Sequence, residues 1–445
     1  MHALLRWLID TLVRLFFPVV RVTGLDRVPT TGPVLFVPNH NNGLLDPIVV
    51  RLATGRPVRF LAKSTLFGNP IGKLTMNAFG AIPVYRTRDE GPTAGPGADR
   101  SAGNERTFAL CRAALGRGES LALFPEGTSH SDPQLKPFKT GAARIALSSE
   151  AEHGFALGLR IVPTAIVYDA KTIFRSSALV ALGESIGVAE YAAAYAEDAH
   201  EAARALTHAM REALEQEALT ADTRELLEGI AAVSGYAAES AEDAHDLAKR
   251  HARAKALLRG YRTLAARDPA TLENLVAEAR AYVDTLRQLG IDDPWGVEVG
   301  RVGAGAVVRE VLVLGLLAPF ALVGALTSWI PYRLTGAIAD RAEEDVRSTF
   351  KLLVALAVLP VFWLLEVVAV GFAVHLLAAL ALALAVVPTG YAALRFGERV
   401  SRARTALAHA WLRRGRPSVV AELVAKRRAL AMRVEAALRD STALA

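Results

Sequence analysis

The feature that most constrains this chain is an apolar run of 43 residues, Leu352 to Leu394, interrupted only by Glu366 and His375. At 1.5 Å per residue a single helix of that length would extend about 65 Å, roughly twice the hydrocarbon thickness of a bilayer. The run is therefore predicted to fold back as a hairpin, near Gly371. A second stretch, Val311 to Ile330, holds 20 residues without a charge, about enough to cross the hydrocarbon once. The alternative, a large buried helical core, would need helices with almost no polar face. Composition agrees with membrane segments and argues against disorder, since 52% of the 445 residues are hydrophobic and the mean hydropathy is +0.27. The single cysteine, Cys111, excludes an intrachain disulfide framework and a cysteine-based zinc cluster, as suits a reducing compartment.

Charge is distributed unevenly. The net charge is +6, but residues 396–445 alone carry +7, so the excess is confined to the tail and no nucleic-acid partner is expected. Arg395, Arg399, Arg402, Arg404, Arg413, Arg414 and Arg416 follow the last apolar run and are expected on the cytoplasmic side. With a hairpin at 352–394, Arg347 and Lys351 fall on that side too. If the domain preceding the spans is also cytoplasmic, Val311 to Ile330 must be re-entrant or interfacial, with Pro319 as a plausible break. In the tail, arginines alternate with Leu407, Trp411, Leu412, Val420, Leu423, Val424, Leu430 and Val434. That pattern suits helices lying on anionic lipid, or a helix packing on residues 190–290. At the opposite end Arg6, Asp10 and Arg14 recur every four residues, one polar stripe on an otherwise apolar helix. Trp7, Leu8, Leu12, Leu15 and Phe16 would then enter the membrane interface, or alternatively the core of the first domain. The charges interrupt the run and no small-residue cleavage site follows, unlike a signal peptide.

Residues 22–190 alternate short β-rich runs with helical stretches, as an α/β architecture requires. Val34 to Val37, Leu121 to Phe124 and Ile161 to Tyr168 read as buried strands, and Asn104 to Leu115 and Lys139 to Ser148 as helices. Residues 87–103 combine charge, Gly and Pro without an apolar period and read as a surface loop. Residues 190–290, rich in Ala, Glu and Arg, should be helical; the pentad Ala-Glu-Asp-Ala-His occurs there at 196–200 and 241–245. The chain thus divides into an interfacial helix (1–21), an α/β domain (22–190), a helical region (191–300), membrane segments (301–395) and a basic amphipathic tail (396–445).

Three stretches of the α/β domain carry chemistry. Pro38-Asn39-His40-Asn41-Asn42-Gly43-Leu44-Leu45-Asp46-Pro47 follows the strand Val34 to Val37, where α/β folds present side chains to ligands. An imidazole near a carboxylate can take a proton from an alcohol, the carboxylate fixing its tautomer. Asp46 before Pro47 also fits a helix N-cap followed by Pro at the first helical position, and one oxygen can cap while the other faces His40. Gly80 to Arg86 is an apolar run ending in a guanidinium able to clamp a phosphate, or in a solvated strand-end charge. Phe124-Pro125-Glu126-Gly127-Thr128-Ser129-His130-Ser131-Asp132, with Lys139 shortly after, offers backbone donors, hydroxyls and an ammonium to a phosphate.

In order and spacing these stretches resemble the glycerolipid acyltransferase superfamily, which includes glycerol-3-phosphate and lysophosphatidate acyltransferases. Asn39-His40 with Asp46 resembles its first block, Gly80 to Arg86 its second, Phe124 to Thr128 its third and Ile161-Val162-Pro163 its fourth. The resemblance implies an acyltransferase domain with a mixed sheet flanked by helices, followed by an all-α region and transmembrane helices. It implies His40 as general base with Asp46 as partner, and Asn39, Arg86, Glu126, Gly127, Thr128 and Lys139 at the substrate. Five residues separate His40 from Asp46 where the family pattern has four, and Ser129 replaces the usual basic residue. Both departures resemble the fungal-type branch that acylates glycerol 3-phosphate or dihydroxyacetone phosphate. The implied activity is membrane-bound acyl transfer from an acyl-CoA or acyl-carrier-protein thioester, without metal or cofactor, in an integral membrane protein whose catalytic domain faces the cytosol. Acylation of lysophosphatidate or another lysophospholipid is the alternative within the class. Outside it stand a hydrolase using Ser129 or Ser131 with His130, and a membrane scaffold. Cys111 is expected to be a packed hydrophobe.

Overall fold

The structure, a computed structural model, describes residues 2–68, 70–84, 100–291, 293–298 and 304–442. The chain forms two compact units, the first running to Leu227 and including Glu344–Thr349, the second comprising Glu228–Glu343 and Phe350–Ala445.

In the first unit the elements are, in chain order, α1 (His2–Phe16), β1 (Val19–Thr23), β2 (Val34–Pro38), α2 (Leu45–Thr54), β3 (Val58–Lys63), α3 (Pro70–Ala78), β4 (Ile82–Val84), α4 (Arg100–Gly116), β5 (Ser120–Ala122), α5 (Gly141–Ala151), β6 (Arg160–Tyr168), β7 (Ser177–Leu182), β8 (Ile186–Gly187), α6 (Ala192–Glu197) and α7 (Ala199–Glu217). The strands form one sheet in the order β1-β7-β6-β2-β5-β3-β4, with β8 also on β6. It is mixed as expected: β2 is parallel to β5 and β6, while β6 is antiparallel to β7. Every residue of β2 is buried, because helices cover both faces of this central strand. Leu35 and Val37 share a core with Leu121, Leu123 and Ile161 and with residues of α4, α5 and α7, whereas α2 packs with α1, β1, β3 and β7.

Two local expectations change. The loop expected at 87–103 lies outside the described residues over 87–99, and Arg100 already begins α4. The N-terminal helix turns Ile9, Val13 and Phe16 onto the domain, so Phe16 belongs to a protein core rather than to lipid, stacked edge-on against Phe174. Leu4, Trp7 and Leu8 remain exposed on its other side.

The second unit is all helical: α8 (Arg224–Tyr236, its first turn in the first unit), α9 (Ala241–His245), α10 (Leu247–Arg267), α11 (Pro269–Gln288), α12 (Pro294–Glu298), α13 (Ala304–Ala339), α14 (Glu344–Ala373), α15 (Leu376–Gly415) and α16 (Pro417–Thr442). Among the described residues α13, α14 and α15 are long and apolar enough to cross a membrane. Their leucines are outward, as Leu316, Leu326 and Leu384 show, which suits a lipid rather than a water partner. The long apolar run does divide into two helices, with the break at Val374-His375 rather than at Gly371. Pro319 does not break its segment: α13 continues through it, a proline inside an apolar helix costing one backbone bond that its surroundings can absorb. Gly324 allows α13 to approach the backbone of α15 at Thr389, and Arg399 pairs with Glu310 at 2.7 Å.

For the last part of the tail the structure takes the second of the two expectations, packing on residues 190–290, while Leu407 and Trp411 at the end of α15 stay exposed. In α16, Leu423, Leu430 and Val434 are buried and the helix packs on α10 and α11. Arg427 is stacked 3.8 Å from the ring centroid of Trp295 and pairs with Glu298 at 2.6 Å. The apolar side of this helix is thus satisfied by protein, which removes the reason for it to lie on lipid.

Candidate active site

The site is built where β2 ends. Pro38 pairs with Thr164, and β6 runs on for four more residues, held extended by β7 through the pairing of Tyr168 with Ala178. Asn39 uses this overhang. Its amide donates to the Ile166 carbonyl at 3.1 Å and accepts from the Ile166 N–H at 2.7 Å, so a side chain extends the strand pairing by one step. Asn39 is thereby committed to holding the loop that follows.

His40 is fixed at both backbone atoms. Its N–H donates to Glu126 Oε1 at 2.9 Å, and its carbonyl accepts from the His130 N–H at 3.0 Å. The ring stacks on Phe124 with centroids 4.2 Å apart, and Nδ1 lies 2.9 Å from Asp46 Oδ2. A carboxylate only accepts, so Nδ1 carries the proton and Nε2 presents its lone pair. Among the described residues no hydrogen-bond partner holds that Nε2.

Asp46 is completely buried. Besides the imidazole, its Oδ2 accepts from the N–H groups of Asn41 at 2.9 Å and Asn42 at 2.8 Å, and Oδ1 accepts from the Tyr168 hydroxyl at 2.7 Å. The expected helix cap is not formed. The capping position is Leu44, without a side-chain bond, and Asp46 lies inside the first turn with its carboxylate turned back to the loop. The two asparagine N–H groups compete for it and win, because Gly43, at φ +47°, reverses the chain beneath them. Five intervening residues are thus accommodated by a turn that brings His40 and Asp46 into contact.

The loop after β5 faces inward. Glu126 is 3% exposed; Oε1 takes the His40 N–H, and Oε2 takes the Lys136 N–H at 2.8 Å and His130 Nε2. Both of its oxygens are thus engaged within the protein. Gly127, at φ +73°, leaves room for Lys139: a Cβ there would stand 2.6 Å from the ammonium. Lys139 and Thr128 are among the residues of this loop exposed to a ligand. Arg86 lies outside the described residues.

No Ser–His dyad forms here among the described residues. His130 gives Nε2 to Glu126 and accepts the Asp132 N–H at Nδ1 over 3.1 Å, while the Ser131 hydroxyl meets the Lys171 ammonium. Lys171 lies 3.4 Å from the Asn41 carbonyl and 3.4 Å from Glu344 in the first turn of α14, and its own carbonyl accepts from Ser348. Cys111 is buried, and burial pushes its thiol up to about 12 against the weaker opposing pull of Arg59 and Arg112.

Sequence reasoning placed His40 and Asp46 correctly next to one another in space but missed Tyr168, the inward task of Glu126 and the partnership of His130. One signal was present for Tyr168: it closes a buried strand at the same sheet end as His40.

Comparison with known proteins places this geometry in context. Residues 19–167 match the family described as Acyltransferase. An uncharacterised acyltransferase of Schizosaccharomyces pombe is 26% identical over 267 residues, 42% of this chain and 39% of that protein. Glycerol-3-phosphate O-acyltransferase 1 of Saccharomyces cerevisiae is 24% identical over 266 residues, 42% of this chain and 35% of that protein. A chloroplastic 1-acyl-sn-glycerol-3-phosphate acyltransferase of Arabidopsis thaliana is 26% identical over 149 residues, 33% of this chain and 36% of that protein. In each case the chain covers less than two fifths of the relative's length.

Proposed function

Starting from a domain at residues 19–167 that belongs to the glycerolipid acyltransferase superfamily, we propose that the chain transfers a fatty acyl group from a thioester to a hydroxyl of glycerol 3-phosphate or dihydroxyacetone phosphate. The observation that carries the reading is the imidazole of His40, its Nδ1 proton tied to a buried carboxylate and its Nε2 open. Nε2 takes the proton of the acceptor hydroxyl as its oxygen attacks the thioester carbonyl. The C–O bond forms, the C–S bond breaks as the tetrahedral adduct collapses, and the proton passes from His40 to the departing thiolate. Asp46 stabilises the transient imidazolium. The thioester itself supplies the activation, whether carried by acyl-CoA or acyl carrier protein, so the step balances without a cofactor.

Lys139, lying across Gly127, supplies a cation for the acceptor phosphate, Thr128 next to Gly127 in sequence adds a hydroxyl, and Arg86, as the family resemblance implies, a bidentate clamp. Glycerol 3-phosphate is favoured by the Ser129-His130-Ser131-Asp132 loop and by the named activity of the yeast relative. The named activity of the Arabidopsis relative supports the second reading, acylation of 1-acylglycerol 3-phosphate. The three apolar helices hold the enzyme in a membrane, which we place as the cytoplasmic membrane. Purified full-length protein in detergent, given acyl-CoA or acyl carrier protein thioester and the three acceptors in parallel, tests the reading. Glycerol 3-phosphate or dihydroxyacetone phosphate should be consumed faster than lysophosphatidate. The reverse order replaces the acceptor, and no transfer to any of them overturns the function.

A further inference from the structure

We propose that Tyr168 is a positioning residue of this site, acting on His40 through Asp46; the inference rests on the acyltransferase reading above. Three donors converge on Asp46 Oδ2, namely His40 Nδ1, Asn41 N–H and Asn42 N–H, and they fix one oxygen atom only. A carboxylate held at one oxygen can still turn about it. The Tyr168 hydroxyl, 2.7 Å from Oδ1, holds the second oxygen and so sets the plane into which the imidazole proton points. Without it Oδ1 would be a buried carboxylate oxygen with no donor among the described residues, since Asp46 is completely buried.

The hydroxyl is itself rigidly placed. It stands at the end of the β6 overhang, whose Ile166 also brackets Asn39, so the strand that aligns the loop of His40 also carries the donor for Asp46. The Tyr168 ring packs on Phe17, the buried residue that follows α1, with centroids 4.9 Å apart. Burial, reinforced by the charge of Asp46, raises the phenol well above its ordinary range, so Tyr168 remains a proton donor at every working pH. It never touches the acceptor or the thioester carbonyl on this account. Its effect should therefore appear in turnover and not in the binding of either substrate.

Tyr168→Phe keeps the ring against Phe17 and removes only the donor. In the full-length enzyme in detergent, kcat should fall about tenfold, the scale of one hydrogen bond to a charged group, while both KM values stay within about twofold. The decisive arm is a double-mutant cycle with Asp46→Ala, in which Tyr168→Phe should add less than about a twofold loss because its target is already gone. A full tenfold loss in that background, or an unchanged kcat in the wild-type background, overturns the proposal. A readout free of turnover separates this failure from failure of the functional reading: the Nδ1–H proton resonance of His40, assigned by its loss in His40→Ala, should move in Tyr168→Phe. An unmoved resonance overturns the proposal even if the wild-type protein acylates nothing. Should Tyr168→Phe not fold, Phe17→Leu, which loosens the ring and leaves the hydroxyl, should lower kcat several-fold at unchanged KM; an unaltered kcat there also overturns it.

Discussion

Asp46 and Glu126 are both acidic, both buried, and both hydrogen-bonded at each oxygen, yet they serve His40 at different ends. Asp46 receives the imidazole itself, together with two loop N–H groups and the Tyr168 phenol. Glu126 receives the backbone N–H of His40, the Lys136 N–H and the ring of His130. One carboxylate sets which ring nitrogen of His40 carries the proton, and the other sets where the ring stands. The resemblance that implied a substrate role for Glu126 could not distinguish these tasks, because both demand an acid at a fixed place in a motif. Only the direction of the oxygens separates them.

The largest effect should come from the group the two acids share. His40→Ala is expected to lower kcat at least about 10²-fold with the fold intact, since it removes the proton acceptor we propose and leaves both carboxylates in place. Turnover near that of the wild type would end the base assignment. Next, Asp46→Asn and Asp46→Ala should each cost about 10- to 100-fold in kcat and differ little from one another. Asn would rescue a helix cap, but Asp46 caps nothing here, so a clear advantage of Asn over Ala would restore the capping role. Glu126→Gln should be milder and of another kind. Glutamine cannot accept all three donors, and one mismatched buried donor costs about 1–3 kcal/mol of stability. A lowered unfolding midpoint with a several-fold loss of kcat and an unchanged acceptor KM is the expected pattern. A rise in acceptor KM alone would move Glu126 to the phosphate and erase the contrast with Asp46.

Much of this arrangement could be read in advance because it is local. β2, β5 and β6 announce themselves as short apolar runs, and α5 as a helical pattern, because burial on both faces leaves a mark in consecutive residues. Asp46 shows the limit. An Asp-Pro pair before an apolar stretch satisfies every local rule for a cap, but two N–H groups in the preceding loop offered a better bond. Tyr168 was further out of reach: it meets Asp46 across 122 residues, and only the register of β6 against β2 and β7 brings them together. The apolar stripe of α16 was legible as well, whereas its partner was not, since lipid and the faces of α10 and α11 make the same demand on it. The repeated pentad carried no structural message. At 241–245 it is the helix α9, and at 196–200 it straddles the junction of α6 and α7, where Asp198 caps the second helix.

Cys111 sharpens the comparison of the two acids from the opposite side, as a buried ionisable group with no hydrogen-bond donor on its sulfur among the described residues. Its thiol is pushed from an ordinary 9.0 up to about 12, chiefly by burial. The sign of the consequence follows from the proton count. Above the unfolded value the unfolded chain releases the thiol proton while the folded chain keeps it, so the folded state holds the extra proton between about 9 and 12. Stability must then fall as pH rises through that window, by up to about 1.4 kcal/mol per pH unit from this group. Below pH 9 it contributes no slope. Cys111→Ala should flatten the alkaline limb of unfolding stability, measured by denaturant titration of the full chain in detergent, by close to one proton, and should leave kcat within about twofold. The wild-type thiol should also resist alkylation at pH 8 until the protein is unfolded, since burial withholds both the thiolate and access to it. Rapid labelling of the native protein, or an alkaline slope indifferent to the substitution, would show that donors reach Cys111 after all and that burial alone does not separate it from Asp46 and Glu126.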